Sequence, residues 1–424
     1  MPKKRMRLTV LLAALTAVLA SLAADASAAG NFVYEVHPGW KFAFAAPAST
    51  ADFPTPSQCV SVYGFACYTA AEIRTAYNVP ASATGAGQTI VIVDAYGSPT
   101  IQQDLATFDA IMGLPDPTLN IIYPGGKPTY NPLQSHGEAD WAFETSLDVE
   151  WAHAIAPEAT IDLVIAANNA GHVLNNAQQY AVDNHLGNVM SLSFGISEAA
   201  IRGNNGQMQQ AHKVYQAAQA AGISVLASAG DAGGNNGYSI VNAGFPASDP
   251  LVTSVGGTNL FLADNGSYQS ETVWNDSDPS LCPFGCSAGV FGATGGAPSI
   301  LSGGAQTADV GYNASVYTAV MTYISFPGVS PGLYFTGGTS EGAPQWAGIV
   351  ADAAQAAGHG LGFLNPALYG IAASPASYAA DFHDVTVGQN GFYGPGESAG
   401  IGYDYPTGLG SPNVANLIAD LAGS

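Results

Sequence analysis

The 424-residue sequence is poor in positive charge. Nine Lys and Arg stand against 31 Asp and Glu, and charged residues of both signs make up only 9% of the chain. A formal charge of −22 repels phosphate backbones and anionic lipid, which excludes nucleic acid and anionic membrane surfaces as partners. Cysteine is scarce as well, limited to Cys59, Cys67, Cys282 and Cys286. An even number in an exported chain favours disulfides, and three pairings are open, of which the local pairs Cys59–Cys67 and Cys282–Cys286 are the simplest. The C-P-F-G-C stretch has no further cysteine nearby and no obvious histidine to complete a metal site. No internal repeat is present, and no apolar run beyond the N-terminus is long enough to span a bilayer.

That N-terminus reads MPKKRMRLTVLLAALTAVLASLAADASAAG. Lys3, Lys4, Arg5 and Arg7 precede an apolar stretch from Leu8 to Ala23, and Ala26-Ser27-Ala28 offers a small-residue cleavage site. Residues 1–28 therefore read as a secretory signal, and the expected location is extracellular, with no membrane association once the signal is removed. Without it, five bases face thirty acids, a formal charge of −25. Few bases limit the positive charge the chain can acquire in acid: with every carboxylate protonated and all eight histidines charged, the side chains reach only +13. Such a composition suits an acidic milieu, although a large negative charge also serves solubility.

Hydrophobic residues make up 47% of the chain, enough for one large core or two smaller ones. From residue 85, short apolar runs alternate with helical patterns. QTIVIVDAY (88–96), ATIDLVIA (159–166), NVMSLSFG (188–195) and ISVLASAG (223–230) read as buried strands. Helices are expected at 101–113, 172–184 and 207–222, with another around residue 144 that Pro157 breaks. Continuous apolar strands alternating with helices predict an α/β fold with a mostly parallel central sheet and helices on both faces. Residues 114–137 read as a Gly/Pro-rich loop, 29–66 as a short extension over the surface, and the chain after 230 as loop-rich until a last strong helix at 339–358.

Three stretches carry chemistry. In FETSLDVEW (143–151), Glu144 and Asp148 lie one helical turn apart on a stripe that continues through Trp141, Trp151 and Ile155. Like charges at this spacing repel, and two carboxyls between tryptophans are not a solvated face. In FTGGTSEGAPQWAG (335–348), glycines crowd Ser340 at the start of a helix, where a nucleophile is open to close approach and developing negative charge is favoured. In LASAGDAGG (226–234), Asp231 follows the end of a buried strand, where parallel sheets place their ligands.

G-T-S-x-x-x-P, S-A-G-D-x-G and E-x-x-x-D followed by A-H-A-I-A-P, in this order and with FPASDPLVTSVGGT downstream, resemble the sedolisins, the serine-carboxyl peptidases. The resemblance covers roughly residues 67–413. It implies a subtilisin-like fold and hydrolysis of protein or peptide substrates in acid by a 67–424 peptidase domain. Ser340 would be the nucleophile, Glu144 its general base, Asp148 the group orienting Glu144, and Asp231 an oxyanion donor. The chemistry is coherent on its own terms. In acid a histidine is protonated and cannot serve as base, whereas a glutamate with an ordinary pKa of about 4.3 can. A neighbouring carboxyl can share its proton. Glu144 and Asp148 should then lie within hydrogen-bond reach, and Glu144 within reach of Ser340.

The resemblance also implies Ca2+ near the C-terminus. HDVTVG (383–388) and AGIGYDYPTGLGSP (399–412) would supply the carboxylates of Asp384 and Asp404 and the backbone carbonyls of Val385, Gly400 and Gly402, all hard oxygen ligands. One departure stands out. Sedolisins usually carry a long N-terminal propeptide, and only about forty residues separate the signal from the start of the resemblance here. Either a separate propeptide-like inhibitor exists or the enzyme does without one; the chain is otherwise expected to be a monomer. Two rival readings use the same fold. Asp94, His136 and Ser340 follow the Asp, His, Ser order of ordinary subtilisins, though without their H-G-T-H pattern. The other rival is a secreted binding protein that has lost catalysis.

Overall fold

The computed structural model of the chain describes residues 32–47, 53–131, 136–201, 205–301 and 303–423. The signal read at 1–28 lies outside them. Among the described residues, the main sheet runs in the order Tyr268–Val273, Thr253–Leu262, Ser224–Ser228, Val189–Leu192, Thr89–Ala95, Thr160–Ala166 and Leu119–Ile122, and Val310–Asn313 also pairs with Thr253–Leu262. Every pairing is parallel except that of Tyr268–Val273, which returns antiparallel from Thr253–Leu262.

The two faces follow from the two-residue period of a strand. Ile90 and Ile92, with Ile161, Leu163 and Ile165, face one core cluster shared with Leu147, Trp151 and Trp346. Val91 and Val93, with Val164, face another, packed under the helices Gly171–Asp183 and Asn205–Ala220. Helices therefore cover both faces, as the uninterrupted apolar strands predict.

Three expectations need correction. The stretch 114–137 is not all loop, because Leu119–Ile122 pairs in parallel with Thr160–Ala166 at the sheet edge. LVTSVGGTNLF, in the stretch read as loop-rich, forms most of a ten-residue strand, Thr253–Leu262. Its paired glycines obscure the pattern but serve close approach: a Cβ on Gly256 would lie 2.3 Å from the Pro406 carbonyl oxygen, and one on Gly257 2.7 Å from Ala314 Cβ. Finally, 29–66 does more than cross the surface. Gly39–Phe44 is an edge strand antiparallel to Gly332–Gly337, within a second sheet that also holds Thr318–Ile324 and Ala66–Tyr68. The helix Pro56–Tyr63 starts at a Thr55/Gln58 capping box. Both disulfides are local, Cys59–Cys67 and Cys282–Cys286, with Cα separations of 5.9 and 5.5 Å.

Two buried helices position the site. His136–Ile155 ends just ahead of Pro157, and Thr339–Ala357 packs across it. Gly348 permits the crossing, since a Cβ there would lie 2.8 Å from Ile155 Cβ. No helix of the described residues is long and apolar enough to cross a membrane.

Candidate active site

Strand Gly332–Gly337 runs through Gly338 directly into the helix that begins at Thr339, so Ser340 lies in its first turn. Gly338 occupies the N-cap position and has no side chain to satisfy the helix's first N–H groups. Asp231 does so from across the chain: its Oδ1 accepts from the Thr339 amide and the Thr339 hydroxyl, both at 2.7 Å. The Thr339 hydroxyl also accepts from the Gly230 amide at 3.0 Å. Asp231 is thereby fixed beside Ser340 with its other oxygen against Gly338, where a Cβ would lie 2.7 Å from Oδ2. Gly338 has φ +118°, so this position needs glycine twice over. The Asp231 residue surface is half-buried. Burial raises its pKa, against the two Thr339 hydrogen bonds and the charge of His37, which lower it.

The stripe noted in the sequence is buried throughout: Trp141, Glu144, Asp148, Trp151 and Ile155 are all within the interior. The Glu144 and Asp148 pKa values are raised well above the ordinary range, first by burial and next by the charge of Asp94. Asp94, at the end of strand Thr89–Ala95, is itself fully buried, and loss of solvent pushes its pKa up to about 7. Three carboxyls thus share a region from which water is excluded, and protons are the means of neutralising them. Neither Glu144 oxygen makes a well-formed hydrogen bond. The Ser340 hydroxyl is nevertheless close enough to lower the Glu144 pKa. In this state that hydroxyl makes a long hydrogen bond, 3.4 Å, to the Ser193 carbonyl. Asp148 accepts from the Ser193 hydroxyl at 2.8 Å. His136 opens the Glu144 helix, and its side chain lies outside the described residues.

The N-terminal segment crosses this site as an extended peptide. Glu35 exchanges two backbone hydrogen bonds with Gly195, of 2.9 and 3.0 Å, and the Tyr34 amide donates to the Asn169 carbonyl at 2.9 Å. Further on, Trp40 stacks on Phe143 with ring centroids 5.2 Å apart, and Gly39 pairs with Gly337. His37, paired with Glu35 at 3.3 Å, is near enough for its charge to act on Asp231. Ser340 is only 3% exposed. Sequence reasoning missed this segment, as it missed Ser193; neither carries a periodic or motif signal.

The C-terminal loops bring four of the expected calcium residues together, Asp384, Asp404, Gly400 and Gly402. The Gly402 amide donates to Asp384 and the Gly400 amide to Asp404, each at 3.0 Å, and burial, with the Asp384 charge adding to it, raises the Asp404 pKa against the hydrogen bonds from Gly400 and Thr407. Among the described residues no group of three or more His, Cys, Asp and Glu could hold a metal. Any ion here would rest on two carboxylates and main-chain oxygens, an all-oxygen donor set of the kind calcium takes.

No protein-family model matches the chain. Individual proteins do. The chain is 30% identical over 361 residues to sedolisin of Pseudomonas sp. (strain 101), covering 82% of this chain and 60% of that protein. It is 32% identical over 380 residues to kumamolisin of Bacillus sp. (strain MN-32), covering 84% and 63%. The chain thus spans less than two thirds of the length of these relatives. Among solved structures, Pseudomonas sedolisin, a serine-carboxyl proteinase complexed with pseudo-iodotyrostatin, superposes with a TM-score of 0.71 at 29% identity, over 84% of this chain and 98% of that one. A lanthipeptide protease shares the fold alone, at 16% identity and a TM-score of 0.52. Sequence motifs, sheet order and these similarities agree: the chain belongs to the sedolisin family, with its subtilisin-like fold.

Proposed function

We propose that this protein is a secreted, acid-acting serine-carboxyl endopeptidase. The observation that carries the reading is the convergence of Ser340, Glu144, Asp148 and Asp231 from three distant stretches at the start of one buried helix. Ser340 Oγ attacks the peptide carbonyl carbon while its proton passes to Glu144. In the working state Asp148 closes a hydrogen bond to Glu144 that is not formed in this structure and shares the remaining proton, so the pair must lose one proton before it can act as base. The oxyanion formed at the carbonyl takes a hydrogen bond from protonated Asp231. Collapse expels the amine, which takes the proton from Glu144, and water then releases the acyl group by the same route in reverse.

Support for a peptide substrate comes from residues 33–35, which run beside the site and bond through backbone groups of Tyr34 and Glu35 to Asn169 and Gly195, as an extended substrate would. Support for acid operation comes from Asp231, whose pKa burial raises, so that its carboxyl keeps the proton it donates to the oxyanion in acid and loses it as pH rises. Calcium, held by Asp384, Asp404 and the carbonyls of Val385, Gly400 and Gly402, would tie the C-terminal loops together and take no part in the chemistry. Casein digestion from pH 2 to 8, with wild type and Ser340→Ala, tests the proposal. A Ser340-dependent peak in acid is expected; digestion that survives the substitution, or none at any pH, would overturn it.

A further inference from the structure

Strand Val189–Leu192 runs out into Ser193 beside the start of the serine helix. The buried Ser193 hydroxyl has two acceptors in reach, Asp148 Oδ1 at 2.8 Å and the Ser340 carbonyl oxygen at 3.3 Å. The second is free for a reason written in the sequence. In an α-helix the Ser340 carbonyl would accept from the amide four residues on, and that residue is Pro344, which has no N–H. The contact is reciprocal, since the Ser193 carbonyl accepts from the Ser340 hydroxyl at 3.4 Å.

A hydroxyl has one proton to donate. While Asp148 is ionised, that proton goes to its carboxylate. Once Asp148 is protonated, the carboxyl can donate to Ser193 Oγ, and the Ser193 proton turns to the Ser340 carbonyl. We propose that Ser193 is a positioning residue that couples the protonation of Asp148 to the placement of the Ser340 main chain, and so of the nucleophile. The inference rests on the reading of Ser340, Glu144 and Asp148 as the triad.

The surroundings make Ser193 well suited to the role. Asp148 faces Asp94 from the neighbouring strand and Glu144 from its own helix, both negative when ionised. Glu144 faces Asp94, Asp231 and Asp140 besides Ser340. No Lys, Arg or His among the described residues is a source of the Asp148 shift, and its Oδ2 has no hydrogen-bond partner. Ser193 is therefore the group that favours ionised Asp148, against three influences that disfavour it.

The test is kcat/KM against pH for wild type, Ser193→Ala, Ser193→Thr and Pro344→Ala. Loss of the donor in Ser193→Ala should move the acid limb up by about one pH unit, and Ser193→Thr should restore it. Pro344→Ala returns a helical N–H to the Ser340 carbonyl, leaves the Ser193 proton to Asp148, and should move the limb the opposite way by a smaller amount. Thermal unfolding of each variant reports whether it is folded; if Ser193→Ala is not, the Pro344→Ala limb decides. A uniform loss of kcat/KM with the limb unmoved in every folded variant would overturn the inference. Ser340→Ala is measured alongside. Activity that survives it defeats the triad reading itself, whereas Ser340-dependent activity with an unmoved limb defeats only the role of Ser193.

Discussion

Replacing Asp231 by asparagine separates the two tasks of that carboxyl. The first is structural: Oδ1 accepts from the Thr339 amide and hydroxyl at 2.7 Å each. An amide oxygen can keep both bonds, so Asp231→Asn should leave the serine helix capped. The second task is donation to the oxyanion. A carboxyl donates only when protonated, whereas a side-chain amide donates at every pH. Burial holds the Asp231 pKa above the ordinary carboxyl value despite the opposing Thr339 bonds, so the donor is present in acid and lost as pH rises through that raised pKa. Two units above it, protonating the group costs about 2.7 kcal/mol. One oxyanion donor lowers the barrier by about 2.7–4 kcal/mol. Most of the donor's effect is therefore gone at that pH in wild type and intact in Asp231→Asn. With an internally quenched peptide assayed from pH 3 to 8, the variant should stay within about tenfold of wild type at the acid optimum. Two units above the wild-type midpoint it should be faster, by up to about 100-fold. An alkaline limb that coincides with that of wild type would refute Asp231 as a titrating oxyanion donor.

Gly338→Ala places a Cβ 2.7 Å from Asp231 Oδ2 at φ +118°. It should cost about 1–3 kcal/mol of stability and about 100-fold in kcat, measured by thermal unfolding and steady-state assay; an unchanged kcat would contradict the placement of Asp231. Glu35→Pro removes the amide that donates to the Gly195 carbonyl at 2.9 Å, and should raise kcat/KM on short peptides about fivefold if residues 33–37 compete with substrate. Unaltered kinetics would show that the segment lies clear of the cleft in solution. Burial pushes Asp94 up to about 7 and Asp352 up to about 8, the latter despite the attraction of Arg74. Since the folded chain holds these protons longer than the unfolded one, their stabilising effect is full below about pH 4 and lost as pH climbs through 7 to 8. The Tm should fall over that window and Asp352→Asn should flatten its upper part, whereas a Tm that rises from pH 4 to 7 would contradict the sign. Chelation with EGTA should lower the Tm by several degrees, calcium should restore it, and Asp384→Asn should abolish both responses; indifference to EGTA would remove the calcium site.

How much of this was legible depended on sequence distance. The Glu144 helix could be read because both carboxyls and both tryptophans fall on one stripe of a continuous helical pattern. Strands such as Thr89–Ala95 announced themselves as apolar runs, and their placement in a parallel sheet followed. Leu119–Ile122 did not, being four residues long inside a Gly/Pro-rich stretch. Thr253–Leu262 hid behind Gly256 and Gly257, whose purpose is contact with the 314 and 406 regions and has no local signature. The role of Asp231 as cap of a helix 108 residues away lies in the tertiary structure. Gly39–Phe44 is an edge strand whose partner, Gly332–Gly337, lies almost at the other end of the chain, so no local pattern marks it. Ser193 is one serine in a strand-like run, and only folding reveals that it stands between Asp148 and the carbonyl that Pro344 leaves free.

The identity of the base is the central claim, and Asp94 with His136 is the arrangement that competes for it. Measuring kcat at the acid optimum for Glu144→Gln and His136→Ala, with Ser340→Ala as the zero, decides between them. We expect Glu144→Gln to lose about 10²–10⁴-fold, the contribution of a positioned general base, and His136→Ala to retain most activity. The reverse outcome, an active Glu144→Gln and an inactive His136→Ala, would contradict the account.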